Sequence, residues 1–404
     1  MKKGWLTKTL GEVLEKTETV NPLQSPNTEF DYIDVSSVSN TTFEIEETQR
    51  LKGKDAPSRA RKLVRTNDII FATIRPTLQR IAVVPEHLDK QVCSTGYFVL
   101  RPKQGIDYRF VFYSLFTENF IGQMESLQKG ASYPAVTDGD VRAQEIPVPP
   151  LAEQQRIVGL LDEAFEGLAT AKANAEKNLQ NARALFESHL QSVFTQRGPG
   201  WVEKPLSELC YIKHGYAFEG EFFSNEGEYV LLTPGNFYER GGYRDRGEKQ
   251  KFYTGEIPRD YVLNEGDLLV AMTEQAAGLL GSPILVPESD KFLHNQRLGL
   301  VMKKPNVAWT NEFFFHVFNT QPVRKAIHAS ASGVKVRHTS PTKIGDVVVA
   351  YPTSLPDQRR IADNLESFRE ETQRLARIYE RKLAALAELK KSLLHQAFNG
   401  KLQE

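Results

Sequence analysis

The chain has 404 residues, of which 40% are hydrophobic, 25% charged and 10% aromatic, a composition that fits folded protein of two to four domains. No run approaches 18 apolar residues, and Lys2 and Lys3 are not followed by an apolar stretch, so neither a membrane-spanning helix nor a secretory signal is expected. Lys and Arg number 51 and so do Asp and Glu, which excludes a simple basic nucleic-acid binder: any DNA contact has to come from local basic patches or from basic partners.

Residues 1–150 are rich in Gly, Pro and short apolar runs. Asp68–Thr73 and Tyr97–Leu100 read as strands between turns, and Phe110–Gln123 as a helix. Cys93 lies here and Cys210 further on. With no metal-type neighbours, both read as free packing thiols in a reducing cytoplasm. Ile146-Pro-Val-Pro-Pro150 ends this region. Glu153–Phe194 then lacks Pro and is rich in Ala, Glu, Gln and Leu, which predicts one long helix. Its apolar seam runs Ile157, Leu161, Ala164, Leu168, Ala171, Ala175, Leu179, Ala182, Phe186, Leu190 and Val193, by fours and threes.

The chain then repeats itself. Gly4-Trp5 with Leu10 matches Gly200-Trp201 with Leu206, and Asp68 in its apolar run matches Asp267. Arg109–Phe112 matches Glu312–Phe315, and Leu151-Ala-Glu-Gln-Gln-Arg-Ile157 matches Leu355-Pro-Asp-Gln-Arg-Arg-Ile361. The offset drifts from 196 residues at the tryptophans to 204 at the last motif, so the second copy has gained loop residues. Such a unit is too long for a solenoid repeat; it is a duplicated domain with its connector. The second helix, Asp357–Phe398, carries the seam Ile361, Leu365, Phe368, Thr372, Leu375, Tyr379, Leu383, Leu386, Lys390, Leu393 and Ala397. Each stripe needs a partner, and an antiparallel pairing of the two copies about a pseudo-twofold axis supplies it. The expected class is α+β: recognition-size domains at 1–150 and 198–354, long helices at 151–197 and 355–404.

This order resembles the specificity subunit of type I restriction-modification systems. The residues that carry the likeness are Trp5…Leu10-Gly11-Glu12 and Trp201…Leu206-Ser207-Glu208, the two Pro-rich junctions with their Gln-Gln-Arg-Ile and Gln-Arg-Arg-Ile motifs, and Leu393-Leu-His-Gln-Ala-Phe-Asn-Gly-Lys-Leu402. The first helix departs from this ending, with Phe194-Thr-Gln-Arg-Gly198. The resemblance implies two target-recognition domains, each reading half of a bipartite site in double-stranded DNA. It implies helices that space them and dock two methyltransferase subunits, which bind S-adenosylmethionine and methylate adenine. Restriction subunits that use ATP and Mg would join the complex. None of that chemistry would belong to this chain, which would carry no cofactor, metal site or catalytic residue and meet no membrane.

The motifs agree with a non-catalytic chain. There is no G-x-x-x-x-G-K-[ST] loop, no H-E-x-x-H, no paired C-x-x-C, no G-x-S-x-G and no Asn-Pro-Pro-aromatic string. His294, His328 and His338 read as surface or packing residues. The alternatives are a coiled-coil scaffold that does not bind DNA and a stand-alone nuclease or methyltransferase.

Candidate DNA contacts lie in local patches. Arg50–Arg65 holds seven basic residues against Asp55; within it Arg59, Arg61 and Lys62 are candidates for phosphate, a solvated charged loop being the alternative. Arg75 sits at a strand-end turn before Pro76, where it can reach guanine O6 and N7, or instead form an ion pair. Lys129-Gly-Ala-Ser132-Tyr133 is a small-residue turn suited to close backbone approach to phosphate. In the second copy Tyr238–Gly247 supplies Arg240, Tyr243, Arg244 and Arg246, as a recognition loop or an ordinary Gly-rich hairpin. Lys335 and Arg337, in Ser332–His338, correspond in place to the Lys129–Tyr133 turn. Because the loops differ, the expected target is asymmetric. Phe313, Phe314, Phe315 and Phe318 are read as core.

Overall fold

The computed structural model describes residues 4–275 and 277–402, so the reading of Lys2 and Lys3 lies outside the described residues. The chain forms two compact units, residues 1–176 with 380–404 and residues 177–379. Each holds one mixed α/β domain and part of both long helices.

In the first unit the strands Ile81–Val83, Ile69–Ala72 and Tyr97–Leu100 form one antiparallel sheet in that order. The central strand is buried throughout. Its start is fixed by Asp68: Oδ2 accepts from the Arg65 amide at 2.8 Å across a turn in which Asn67 takes φ 67°. The second unit repeats the device, Asp267 Oδ2 accepting from the Asn264 amide at 2.8 Å with Gly266 at φ 78°. The matching sheet has Leu268–Ala271 between Pro283–Leu285 and Leu298–Lys303, with Cys210–His214 at its edge. A second sheet in each unit contains one parallel pair, Tyr32 beside Val92 and Val230 beside Phe292. Both cysteines are free and buried, and burial pushes each thiol up to about 12, far from a nucleophile's range.

The helix expected over Phe110–Gln123 is two helices, Tyr108–Ser114 and Glu118–Leu127. Ser114 and Thr117 break it. Their hydroxyls donate to Val111 O at 2.6 Å and Ser114 O at 2.8 Å, and Thr117 caps the next helix. The second copy breaks at Thr320, between Asn311–Asn319 and Gln321–Ser330. Phe313, Phe314, Phe315 and Phe318 are buried core, as expected.

The long helices run Leu151–Gln196 and Leu355–Phe398. The first ends just past Phe194, with Arg197 at φ 44°; the second ends at Phe398, before Gly400 at φ 66°. Every residue of the first seam is buried or half-buried. In the second only Leu375 is exposed, at 37%. Within the first unit the opening turns of the first helix (Ile157, Val158, Leu161) pack with the closing turns of the second (Leu394, Ala397, Phe398), together with Trp5 and Phe110. Within the second unit the closing turns of the first helix meet the opening turns of the second: His189 lies 4.6 Å from Phe368, and Phe194 lies 5.5 Å from both Trp201 and Phe313. The helices are antiparallel in both.

Two seam details explain sequence features. Gln154 and Gln358 of the junction motifs are buried and bind the helix start to the domain. Gln154 accepts from the Asp107 amide at 2.8 Å and donates to Pro149 O at 2.8 Å; Gln358 accepts from the Thr310 amide and donates to Pro352 O, both at 2.9 Å. Lys390, a cation on an apolar seam, has its ammonium 5.0, 5.9 and 5.2 Å from the Phe43, Phe116 and Phe165 rings, and burial lowers its pKa.

Candidate nucleic-acid interface

In the first domain three segments distant in sequence form one edge. The Arg59 carbonyl accepts from the Thr95 amide at 2.8 Å, Gly96 O from the Thr73 amide at 2.9 Å, and Thr73 O from the Val136 amide at 3.0 Å. Lys129 and Ala135 exchange two backbone hydrogen bonds of 2.9 Å, closing a hairpin tip whose Gly130 takes φ 105°. Arg75 has left-handed backbone (φ 50°), and its amide donates to Pro134 O at 2.7 Å. Its guanidinium lies 5.2 Å from the Tyr133 ring and donates to Ser132 O at 3.4 Å, in place of an ion pair. Arg75, Lys129, Ser132 and Tyr133 are thus one exposed group, Tyr133 being 72% exposed.

The basic run is divided. Lys62 is half-buried: Nζ pairs with Asp138 at 2.7 Å and donates to Tyr97 O at 2.6 Å, so it pins strand Ala60–Leu63 to the hairpin root and is not presented to a phosphate. Arg65 pairs with Glu18 at 2.5 Å and Arg50 with Asp31 at 2.9 Å. Arg61 donates to Ala60 O at 2.8 Å and is half-buried, while Lys52, Lys54 and Arg59 are exposed. The structure therefore sets Lys62 apart from its exposed neighbours in the run, because its carboxylate partner comes from a residue far along the chain.

The second domain builds the same tip. Ser332 and His338 exchange backbone hydrogen bonds of 3.0 and 2.9 Å, Gly333 takes φ 102°, and Thr273–Glu274 pairs with Arg337–His338. Arg75 of the first domain has Glu274 as its counterpart here. Glu274 is buried; Oε2 accepts from the Gly278, Leu279 and Leu280 amides at 3.0, 2.9 and 3.1 Å, and Oε1 pairs with Arg337 at 3.2 Å. Arg337 also donates to His328 O at 2.6 Å. It anchors the base of the tip and is half-buried there. Lys335 stays exposed.

Tyr238–Gly247 is a hairpin, Phe237 pairing with Tyr243 across Gly241 and Gly242, both in positive φ. Arg240 donates to Arg183 O of the first long helix at 3.1 Å. Tyr243 is half-buried with its ring 5.4 Å from Phe292, and burial raises its phenol. Both residues hold the hairpin in place; Arg240 stays exposed while it does so, whereas Tyr243 is partly covered. Arg246 is half-buried beside Gly235, and Arg244 is exposed with its guanidinium 5.9 Å from the Tyr238 ring. Val334 and Val336, exposed at 99% and 46%, were not singled out from the sequence; the Gly130–Gly333 match is the signal that finds them. Among the described residues no helix is long and apolar enough to cross a membrane, and no group of three or more potential metal ligands is assembled.

The same domain, twice over, is what comparison with known proteins returns. The family model for the type I restriction modification DNA specificity domain matches residues 2–179 and 199–380, each match containing one hairpin tip. The chain is 24% identical over 236 residues to the type I restriction enzyme EcoBI specificity subunit of Escherichia coli, covering 58% of this chain and 44% of that protein. It is 30% identical over 165 residues to the HindI specificity subunit of Haemophilus influenzae, covering 39% and 34%. The matched part thus spans less than half of these two relatives. It is 23% identical over 330 residues to the MjaVIII specificity subunit of Methanocaldococcus jannaschii, covering 78% and 75%. Among solved structures, a chain from work on complex assembly and conformational transition of the type I R-M system superposes with TM-score 0.84 at 28% identity, covering 100% of this chain and 99% of that one. The HsdS subunit of Thermoanaerobacter tengcongensis gives 0.70 at 28%, covering 100% and 98%. With two matched domains spanning most of its length, each followed by a long helix, the chain belongs to the family of type I restriction-modification DNA specificity subunits.

Proposed function

We propose that this chain reads an asymmetric bipartite DNA site, one half-site per domain, and carries two methyltransferase subunits to it without catalysing any reaction itself. The observation that carries the reading is the hairpin tip built twice on one backbone plan with different side chains displayed: Arg75 and Tyr133 on one, Val334 and Lys335 on the other. Equal frames with unequal tips suit two different half-sites. Arg75, exposed and steadied by Tyr133, suits two hydrogen bonds to guanine. Lys129, Arg59, Arg61 and Arg244 suit phosphate. The long helices space the half-sites and dock the methyltransferase subunits, which supply S-adenosylmethionine, and the restriction subunits, which supply ATP and Mg. Net neutrality favours the scaffold reading. The exposed cations at the matched tips favour DNA.

Co-expression with adenine methyltransferase partner subunits, followed by methylome sequencing, tests this. Methyladenine is expected in both halves of one interrupted, non-palindromic site, and none when the chain is expressed alone. A palindromic site, or methylation without sequence preference, overturns it.

A further inference from the structure

We infer that the Val334–Val336 tip of the second domain recognises thymine through its 5-methyl group; this rests on the DNA-reading role proposed above. Val334 is 99% exposed and Val336 46%, with exposed Lys335 between them. Apolar surface displayed this fully gains nothing in the free protein, and burying it elsewhere would be favourable.

The tip is nevertheless held in shape. Ser332 and His338 close it with paired backbone bonds of 3.0 and 2.9 Å. Gly333 sits at φ 102°, where an added Cβ would lie 2.1 Å from Val336 O. Arg337 ties the base of the tip to Glu274 at 3.2 Å and to His328 O at 2.6 Å. A fixed, exposed β-branched pair beside a cation, Val334 fully and Val336 partly in solvent, fits a surface that is anionic outside and apolar within. The major groove is such a surface, and the thymine methyl is the apolar group that base edges present there. The matched tip of the first domain offers Arg75 and Tyr133 instead, so the two domains read different chemistry: hydrogen-bonding edges in one, a methyl in the other.

The test uses the chain assembled with its methyltransferase subunits and a duplex carrying its own recognised site. Each thymine, on both strands, is replaced singly by deoxyuridine, which deletes only the methyl. In the half-site read by the second domain, at least one replacement should weaken binding about fourfold, the loss for one buried methyl. Val334→Ala combined with Val336→Ala should abolish that difference while leaving the other half-site's responses unchanged. Being exposed, both positions tolerate alanine without loss of the fold. Specific binding with no methyl-sensitive thymine overturns the inference alone, as does methyl sensitivity that persists in the double variant. So does a double variant that loses partner subunits while its methyl response is unchanged, which would make the tip a protein-docking surface. A complex without any sequence preference overturns the DNA-reading role as well.

Discussion

Lys62 and Arg59 stand three residues apart in one basic run, and the fold gives them different work. Lys62 is spent on Asp138 and Tyr97 O, whereas Arg59 is exposed. Neutralising Arg59 and Arg61 should weaken DNA binding by the assembled complex about equally on all sequences and flatten its salt dependence, as lost phosphate contacts do. Lys62→Met should leave the salt slope unchanged and cost about 1–2 kcal/mol of stability, because the Tyr97 carbonyl and the Asp138 carboxylate lose their donor. Binding titrations over a salt series and denaturant melts check both halves. A Lys62→Met complex with a flattened slope would return this residue to the phosphate patch. The run itself was legible in the sequence; the division within it was not, since adjacency along the chain says nothing about which carboxylate arrives from 76 residues away.

At the scale of elements, the two domains share strands, caps and hairpin tips but differ in buried titratable groups. The second domain encloses His294 and His316, at 0% and 2% exposure. Burial holds His294 down to about 4, with Lys213 and His214 adding to the shift, and His316 down to about 3, with Arg369 adding. His316 sits where the first domain has Tyr113, and the first domain's His87 is exposed. An unfolded imidazole titrates near pH 6.5. Between pH 6.5 and about 4 the unfolded chain therefore binds more protons than the folded one, so stability is fully present above pH 6.5 and is lost as pH falls through that window. The loss is on the order of 2–3 kcal/mol per histidine by pH 4.5. At pH 4.5, hydrogen-exchange protection relative to the intrinsic rates should fall in the second domain ahead of the first, and His316→Phe should recover about half of the difference. An equal fall in both domains would contradict this. The strand Tyr97–Leu100 was readable as a short apolar run between turns. The helix break at Ser114–Thr117 was not, because hydroxyl groups competing for backbone carbonyls leave no mark on apolar periodicity.

At the scale of the whole molecule, each domain is clasped by the start of the helix that follows it and the end of the other helix: Trp5 and Phe110 with Phe398, Trp201 and Phe313 with Phe194. If the helices space the half-sites, matched four-residue insertions near Ala175 and Tyr379 should lengthen the recognised spacer by one to two base pairs. Four residues add about 6 Å, and duplex DNA rises about 3.4 Å per base pair. Four residues nearly preserve the seam; two would rotate it by about half a turn and should impair folding. Methylome sequencing reads the outcome, and an unaltered spacer with activity retained would show that the helices are not the ruler. The sequence by itself determined the duplication, the lengths of the long helices, their buried seams and the family. Those signals are local or repetitive: a 3.6-residue period and a motif written twice survive without knowledge of the fold. Only the tertiary structure decided which cations are free. Arg337 is neutralised by Glu274 and Lys62 by Asp138, while Arg75 stands exposed over Tyr133. A charge's availability depends on which distant carboxylate the topology delivers to it, and no periodicity along the chain encodes that distance.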